Sequence, residues 1–139
     1  MSYRKGVAAE QQLVRWLKDR KYETQRAAGS RGAADILAAK KGLLGLSQKK
    51  FAIQVKSTSG ESFRMLKADI KKLSEFSNKF DSIPMLAVRF SGDKWRFWGG
   101  ETDDILFDDS ALKALESGKD PYAIIDVHSK KAKLFEKIL

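Results

Sequence analysis

The chain has no cysteine and a single histidine, His128, in 139 residues. The first absence excludes disulfides, thiolate metal sites and cysteine nucleophiles, and fits a reducing compartment. The second leaves no two-histidine zinc site and makes a serine–histidine–aspartate triad a poor candidate. No apolar run approaches the roughly 20 residues of a membrane span. The opening Met1-Ser2-Tyr3-Arg4-Lys5-Gly6 leads into Ala and Glu rather than an apolar signal core. There is no repeat, low-complexity tract or Pro/Gly linker, so no internal boundary is drawn and residues 1–139 are expected to form one domain. A soluble, cytoplasmic protein with no membrane partner is the expectation.

What is abundant is positive charge, unevenly spread. The net charge is +9, yet residues 1–100 carry 21 Lys and Arg against 9 Asp and Glu, while residues 101–139 carry 6 against 9. Arg4, Lys5, Arg15, Lys18, Arg20, Lys21, Arg26 and Arg31 lie in the first third alone. A field of that sign draws in polyanions, which makes nucleic acid the favoured partner over a merely solvated surface or an anionic membrane.

Periodicity predicts the elements. Leu13, Trp16, Leu17 and the stem of Arg20 mark an amphipathic helix from about residue 8 to 21. Strands are expected over Tyr22–Ala28 and Ala33–Ala39, separated by the turn Gly29-Ser30-Arg31-Gly32. Phe51-Ala52-Ile53-Gln54-Val55-Lys56 alternates, with Gln54 and Lys56 on one face. A second helix is expected from about Leu66 to Phe80, striped by Leu66, Ile70, Leu73, Phe76 and Phe80. Ile83–Phe90 and Lys94–Trp98 read as a hairpin about Ser91-Gly92-Asp93. An acidic segment, a short helix near Ser110–Glu116 and a strand at Tyr122–Val127 follow. The order indicates an α/β fold with a central mixed sheet.

Three pieces of this pattern can do chemistry together: Glu10 on the first helix, Asp35 near the start of the second strand, and Gln54 with Lys56 on the third. Phosphodiester hydrolysis needs hard oxygen ligands for Mg²⁺, a positioned water and a cation for the developing charge. Asp35, the side-chain carbonyl of Gln54 and the backbone carbonyl of Val55 can hold the metal. Lys56 can orient the water or stabilise the transition state, and Glu10 can hold a second metal or a bound water. Alone, Asp…Gln-X-Lys is a weak pattern, and a surface strand with a lysine is its bland reading. The acid-bearing helix and the strand pair strengthen it.

At this point the sequence resembles the archaeal Holliday junction resolvases of the PD-(D/E)XK nuclease superfamily. The resemblance rests on Tyr3-Arg4-Lys5-Gly6 with Ala9-Glu10, Arg26-Ala27-Ala28-Gly29-Ser30 running to Asp35, and Ile53-Gln54-Val55-Lys56. Glu75-Phe76-Ser77 with Phe80, and Ile83-Pro84 with Leu86-Ala87-Val88 and Phe90, extend it to about residues 3–98. It implies a restriction-endonuclease-like fold, with a central mixed five-stranded sheet flanked by helices in a single nuclease domain. It also implies an archaeal origin, a homodimer, and Mg²⁺-dependent resolution of four-way junction DNA by paired symmetric nicks, with Mn²⁺ as a substitute metal. Glu10, Asp35, Gln54 and Lys56 would form the catalytic centre. Arg26 and Ser30, with the neighbouring Arg31, would contact DNA. Arg4 and Lys5 would belong to a mobile basic arm over residues 1–7, and Phe76 and Phe80 to the dimer interface. Nucleoid association and an accessory DNA-repair protein are in keeping with that activity.

Gln54 departs from the family's usual glutamate, which removes one negative charge from the metal site. Gln11 also stands where a relative has arginine. Two other readings therefore stay open: a repair or restriction-type nuclease acting on linear duplex, and a junction-binding protein impaired in catalysis by Gln54. Elsewhere the bland readings are preferred. Trp16, Trp95 and Trp98 are expected to pack rather than stack on bases, and His128 to have no catalytic role. Glu101-Thr102-Asp103-Asp104 with Asp108-Asp109 lacks the EF-hand order and reads as a solvated acidic loop. Leu43, Leu44 and Leu46 form a lysine-flanked apolar loop with no assigned role.

Overall fold

The structure, a computed structural model, describes residues 3–27, 32–41, 48–99, 109–128 and 133–135. Helix α1 (Tyr3–Asp19) leads into β1 (Glu23–Arg26), β2 (Ile36–Lys41), β3 (Gln48–Ser57) and β4 (Ser62–Leu66). Helix α2 (Lys67–Lys79), β5 (Ile83–Phe90), β6 (Lys94–Trp98), α3 (Asp109–Glu116), β7 (Tyr122–Asp126) and β8 (Lys133–Phe135) complete the order. The principal sheet runs β1-β2-β3-β5-β6-β8, and β4 pairs with β7 in a separate ribbon. β3 and β5 are parallel, whereas every other neighbouring pair is antiparallel. The five strands β1, β2, β3, β5 and β6 are the mixed sheet that the sequence leads one to expect. The three-residue β8 adds a sixth at its edge.

Alternation explains how the sheet is covered on both faces. On β3, Phe51, Ile53 and Val55 join Met85 and Ala87 of β5 against Ala9, Leu13, Trp16 and Leu17 of α1. The opposite face of β5, with Leu86, Val88 and Phe90, packs against Ile70 of α2, Leu112 of α3, and Met65, Ala123 and Ile125 of the ribbon. A strand buried on both sides reads as a nearly unbroken apolar run, and Ile83–Phe90 is one, interrupted only by Arg89. All three tryptophans lie in these interiors, at 0–3% exposure, so packing accounts for them. Trp16 stacks on Phe97 with centroids 6.0 Å apart, and the Arg20 guanidinium lies 4.0 Å from the Trp16 ring centre.

Helix α1 begins earlier than its apolar stripe predicts. Arg4 and Lys5, expected in a basic arm over residues 1–7, lie on the helical backbone of its first turn; their side chains are outside the described residues. Once the buried stripe nucleates a helix, each further residue gains a hydrogen bond for little ordering cost, which offsets the roughly 0.5–1 kcal/mol that Gly6 costs. The helix closes with Lys21 at φ 70°, its neighbour Tyr22 donating back to the Leu17 carbonyl.

Strand β4 is absent from the sequence-based expectation. It is five residues long, its apolar Met65 and Leu66 run on into the helical stripe, and it pairs with a strand some 60 residues onward, so no local pattern separates it from α2. Leu66, expected on the helical stripe, is instead the last residue of β4 and is exposed. Phe80 follows the last helical residue of α2 and is 56% exposed. The turn at Gly29-Ser30-Arg31, the loop of Leu43, Leu44 and Leu46, and the acidic segment 101–108 lie outside the described residues.

Candidate active site

The site lies just ahead of the first residue of β2. The β2–β3 ladder ends at Ile36 opposite Ile53, and Asp35 contributes one last bond, its N–H donating to the Ile53 carbonyl at 2.8 Å. Past that point β3 continues to Ser57 beside β5 alone. The Val55 N–H, facing the missing strand, donates instead to the Asp35 carboxylate oxygen Oδ2 at 2.8 Å. A residue's N–H and C=O share one edge of a strand, so the Val55 carbonyl faces the same notch. The buried Gln54 amide nitrogen donates to that same Oδ2 at 2.9 Å. Asp35 is thus fixed by its own backbone on one side and by two donors on its carboxylate.

The charged groups close around it. Glu10 of α1 lies near enough for the Asp35 charge to raise its pKa, a second contribution after burial, while Arg26 opposes both. Arg26 Nε stands 4.0 Å from Glu10 Oε1; the arginine is 83% exposed and the glutamate 22%. Burial likewise raises the Asp35 pKa, opposed by the Val55 N–H, then by Lys56 and Arg26. Lys56 follows Gln54 by two positions on the face turned away from α1, so Glu10 and Lys56 approach the notch from opposite sides of the sheet. Two partly buried carboxylates, both with raised proton affinity, between a lysine and an exposed arginine, make a place where a cation is favoured and a phosphate can be held.

These donors fit a hard divalent metal. Asp35, the amide oxygen of Gln54 and the Val55 carbonyl are all oxygens, with Glu10 within reach of the same charge. Among the described residues no cluster of three or more Asp, Glu, His or Cys exists that could bind a metal. Coordination here would therefore lean on the amide and backbone oxygens.

Of the other residues singled out by sequence, Arg26 stands at the end of β1 beside the notch, whereas Ser30 and Arg31 are outside the described residues. Phe76 packs against the Ala34, Ala52 and Leu73 cluster, and its ring lies 4.7 Å from that of Phe80. His128 is exposed and lies 3.3 Å from Glu61. No helix among the described residues is long and apolar enough to cross a membrane.

One polar set was not foreseen. Arg89 of β5 donates to Gln12 of α1 at 2.9 Å and to the Ser57 hydroxyl at 3.4 Å. The signal was present in the sequence, as the sole charge in the eight-residue strand Ile83–Phe90.

Comparison with known proteins gives the family and the fold. The family described as archaeal Holliday junction resolvase (Hjc) matches residues 1–110. The Crossover junction endodeoxyribonuclease Hjc of Methanocaldococcus jannaschii is 36% identical over 91 residues, which are 66% of this chain and 63% of that relative. The chain thus matches somewhat less than two thirds of its relative's length. Among solved structures, Archaeoglobus fulgidus Hjc, a Holliday junction resolvase from an archaeal hyperthermophile, superposes with a TM-score of 0.66 at 20% identity. That match covers 88% of this chain and 84% of the other, and it shows the shared fold. With the family match running from the first residue through β6, this chain belongs to the archaeal Holliday junction resolvase family.

Proposed function

We propose that this protein is a structure-selective DNA endonuclease that resolves four-way junctions by paired symmetric nicks. The observation that carries the reading is the Asp35 carboxylate just before β2, held by Gln54 and Val55 and electrostatically joined to Glu10, Lys56 and Arg26. Asp35, the Gln54 oxygen and the Val55 carbonyl would hold a divalent ion, Mg²⁺ or in its place Mn²⁺, which would supply Lewis-acid charge to the scissile phosphate. Glu10 would hold a water or a second ion. Lys56 donates to the attacking water or to a non-bridging phosphate oxygen, where negative charge grows as the bond is made. Arg26, exposed beside Glu10, meets the adjoining phosphate. Arg4, Lys5, Ser30 and Arg31 extend the contact along DNA.

Paired cuts require two centres related by symmetry, and a two-fold dimer supplies them. The half-exposed Phe80 beside Phe76 at the end of α2 is the dimer contact of this reading. Acting on chromosomal junctions, the protein works at the nucleoid. Selectivity comes from junction shape and phosphate position, so sequence preference is mild. The test compares a synthetic four-way junction with linear duplex of equal sequence, with Mg²⁺, for the parent and Asp35→Ala. Junction-selective cleavage lost in Asp35→Ala is expected. Cleavage by Asp35→Ala at the parental rate, or equal rates on both substrates, refutes the proposal.

A second reading has its own observation. The Gln54 amide already satisfies Asp35 without a metal, as it would in a junction-binding protein that no longer cuts. A parent that binds but never cuts, rescued by Gln54→Glu, establishes that reading instead.

A further inference from the structure

We infer that Arg89 is a positioning residue that sets the approach of Glu10 to the notch, an inference resting on Glu10, Asp35, Gln54 and Lys56 as the catalytic centre. Arg89 lies across the boundary between the two halves of the site. Its Nη1 donates to the Gln12 side-chain amide oxygen Oε1 on α1 at 2.9 Å, and its Nε to Ser57 Oγ on β3 at 3.4 Å. Gln12 is two residues from Glu10, and Ser57 directly follows Lys56. One guanidinium therefore ties the helix bearing the glutamate to the strand bearing the lysine. Asp93, at 3.9 Å from the Arg89 Nε, balances its charge, and the arginine side chain is only 17% exposed.

The geometry explains what such a tie controls. Two residues along a helix are some 200° apart around its axis, so Gln12 and Glu10 lie on opposite flanks of α1. Apolar packing of Leu13, Trp16 and Leu17 against the sheet resists separation but is non-directional, so it only weakly resists a roll about the helix axis. A roll of about 10° carries an atom 6 Å from the axis through about 1 Å, enough to cost a reaction on the order of 100-fold. A directional bond on the far flank stops that roll. Burying an arginine in an otherwise apolar strand gains little stability over an apolar residue of like size, which is the expected trade for a geometric role.

The test uses single-turnover junction cleavage at saturating DNA and Mg²⁺, junction binding without metal, and thermal unfolding. Arg89→Met and Gln12→Leu should each cleave about 10- to 100-fold more slowly, with binding unchanged and the fold intact at the assay temperature. Gln12→Glu, which keeps an acceptor for Arg89, should restore most of the rate. In a Glu10→Ala background neither substitution should slow cleavage further, because the group being positioned is gone. Losses that multiply in the double variants, or that follow the fall in thermal stability, overturn the inference. Should Arg89→Met fail to fold, Gln12→Leu carries the same comparison. If Glu10→Ala is slow but Arg89→Met and Gln12→Leu cleave at the parental rate, the tie alone is refuted. If Glu10→Ala itself cleaves at the parental rate, the assignment of the centre falls and the tie with it.

Discussion

Replacing Gln54 by glutamate puts a carboxylate oxygen where an amide nitrogen now stands, 2.9 Å from Asp35 Oδ2. Without metal, a hydrogen bond becomes a repulsion. At an effective dielectric of about 20, two unit charges at that distance repel by about 6 kcal/mol. The pair escapes the full penalty by holding one proton. Protonating an ordinary glutamate at pH 7.5 costs about 4 kcal/mol, which caps the destabilisation. In a domain of this size that is a drop of roughly 10–15 °C in Tm. With Mg²⁺ the sign reverses, because the added charge strengthens cation binding, and ligand affinity for the folded state raises its stability. Thermal unfolding of Gln54→Glu and parent, in chelator and across a Mg²⁺ titration, reads both effects. The variant should unfold well below the parent in chelator, rise steeply with Mg²⁺, and cut junctions faster at limiting metal. Equal Tm in chelator with no added response to Mg²⁺ would refute the placement of residues 35 and 54 in one cation site.

Three further outcomes are expected. Burial raises the pKa values of Asp35 and Glu10 above their ordinary 3.8 and 4.5, so the metal-free folded state holds protons that the unfolded chain has released. Stability should therefore fall as pH rises from about 4 through the raised values, and Asp35→Asn should flatten that slope in urea denaturation at a series of pH values. Gly99→Ala should destabilise by about 2 kcal/mol or more, measured by denaturant melts: φ is 87°, and a Cβ would sit 2.7 Å from the Pro84 carbonyl oxygen and 3.1 Å from Leu112. Phe80→Asp alters a 56% exposed side chain, so folding stability should change by no more than about 0.5 kcal/mol. Sedimentation should nonetheless show loss of the proposed dimer, and junction cleavage should give unpaired nicks.

Most of the scaffold was legible because its strongest signals are local. Ile83–Phe90 and Lys94–Trp98 have the expected bounds, set by an apolar run and by the polar Ser91–Asp93 turn. Non-local features escaped. The β4–β7 ribbon is stabilised by burial of Met65, Ala123 and Ile125 under the sheet, which no window of sequence around Ser62 reveals. In the site, residue types and spacing placed Asp35, Gln54 and Lys56 together, but not the hydrogen bonds among them. Sequence assigned Gln54 an oxygen donor's role, and the structure turns its nitrogen to Asp35. Arg89 was passed over because periodicity asks which positions are apolar, while its function depends on two partners 77 and 32 residues away.

That β2 is shorter than its neighbour has a consequence for how such a centre tolerates change. The groups of the proposed centre occupy room that a strand four residues longer would fill with an ordinary ladder, so that centre would be created by an omission. What the notch requires of this strand pair is that Ile36 stay opposite Ile53. A slip of one position would turn Gln54 and Lys56 toward α1 and bury Phe51 and Ile53 on the wrong side. Pairing parity is what inheritance must keep.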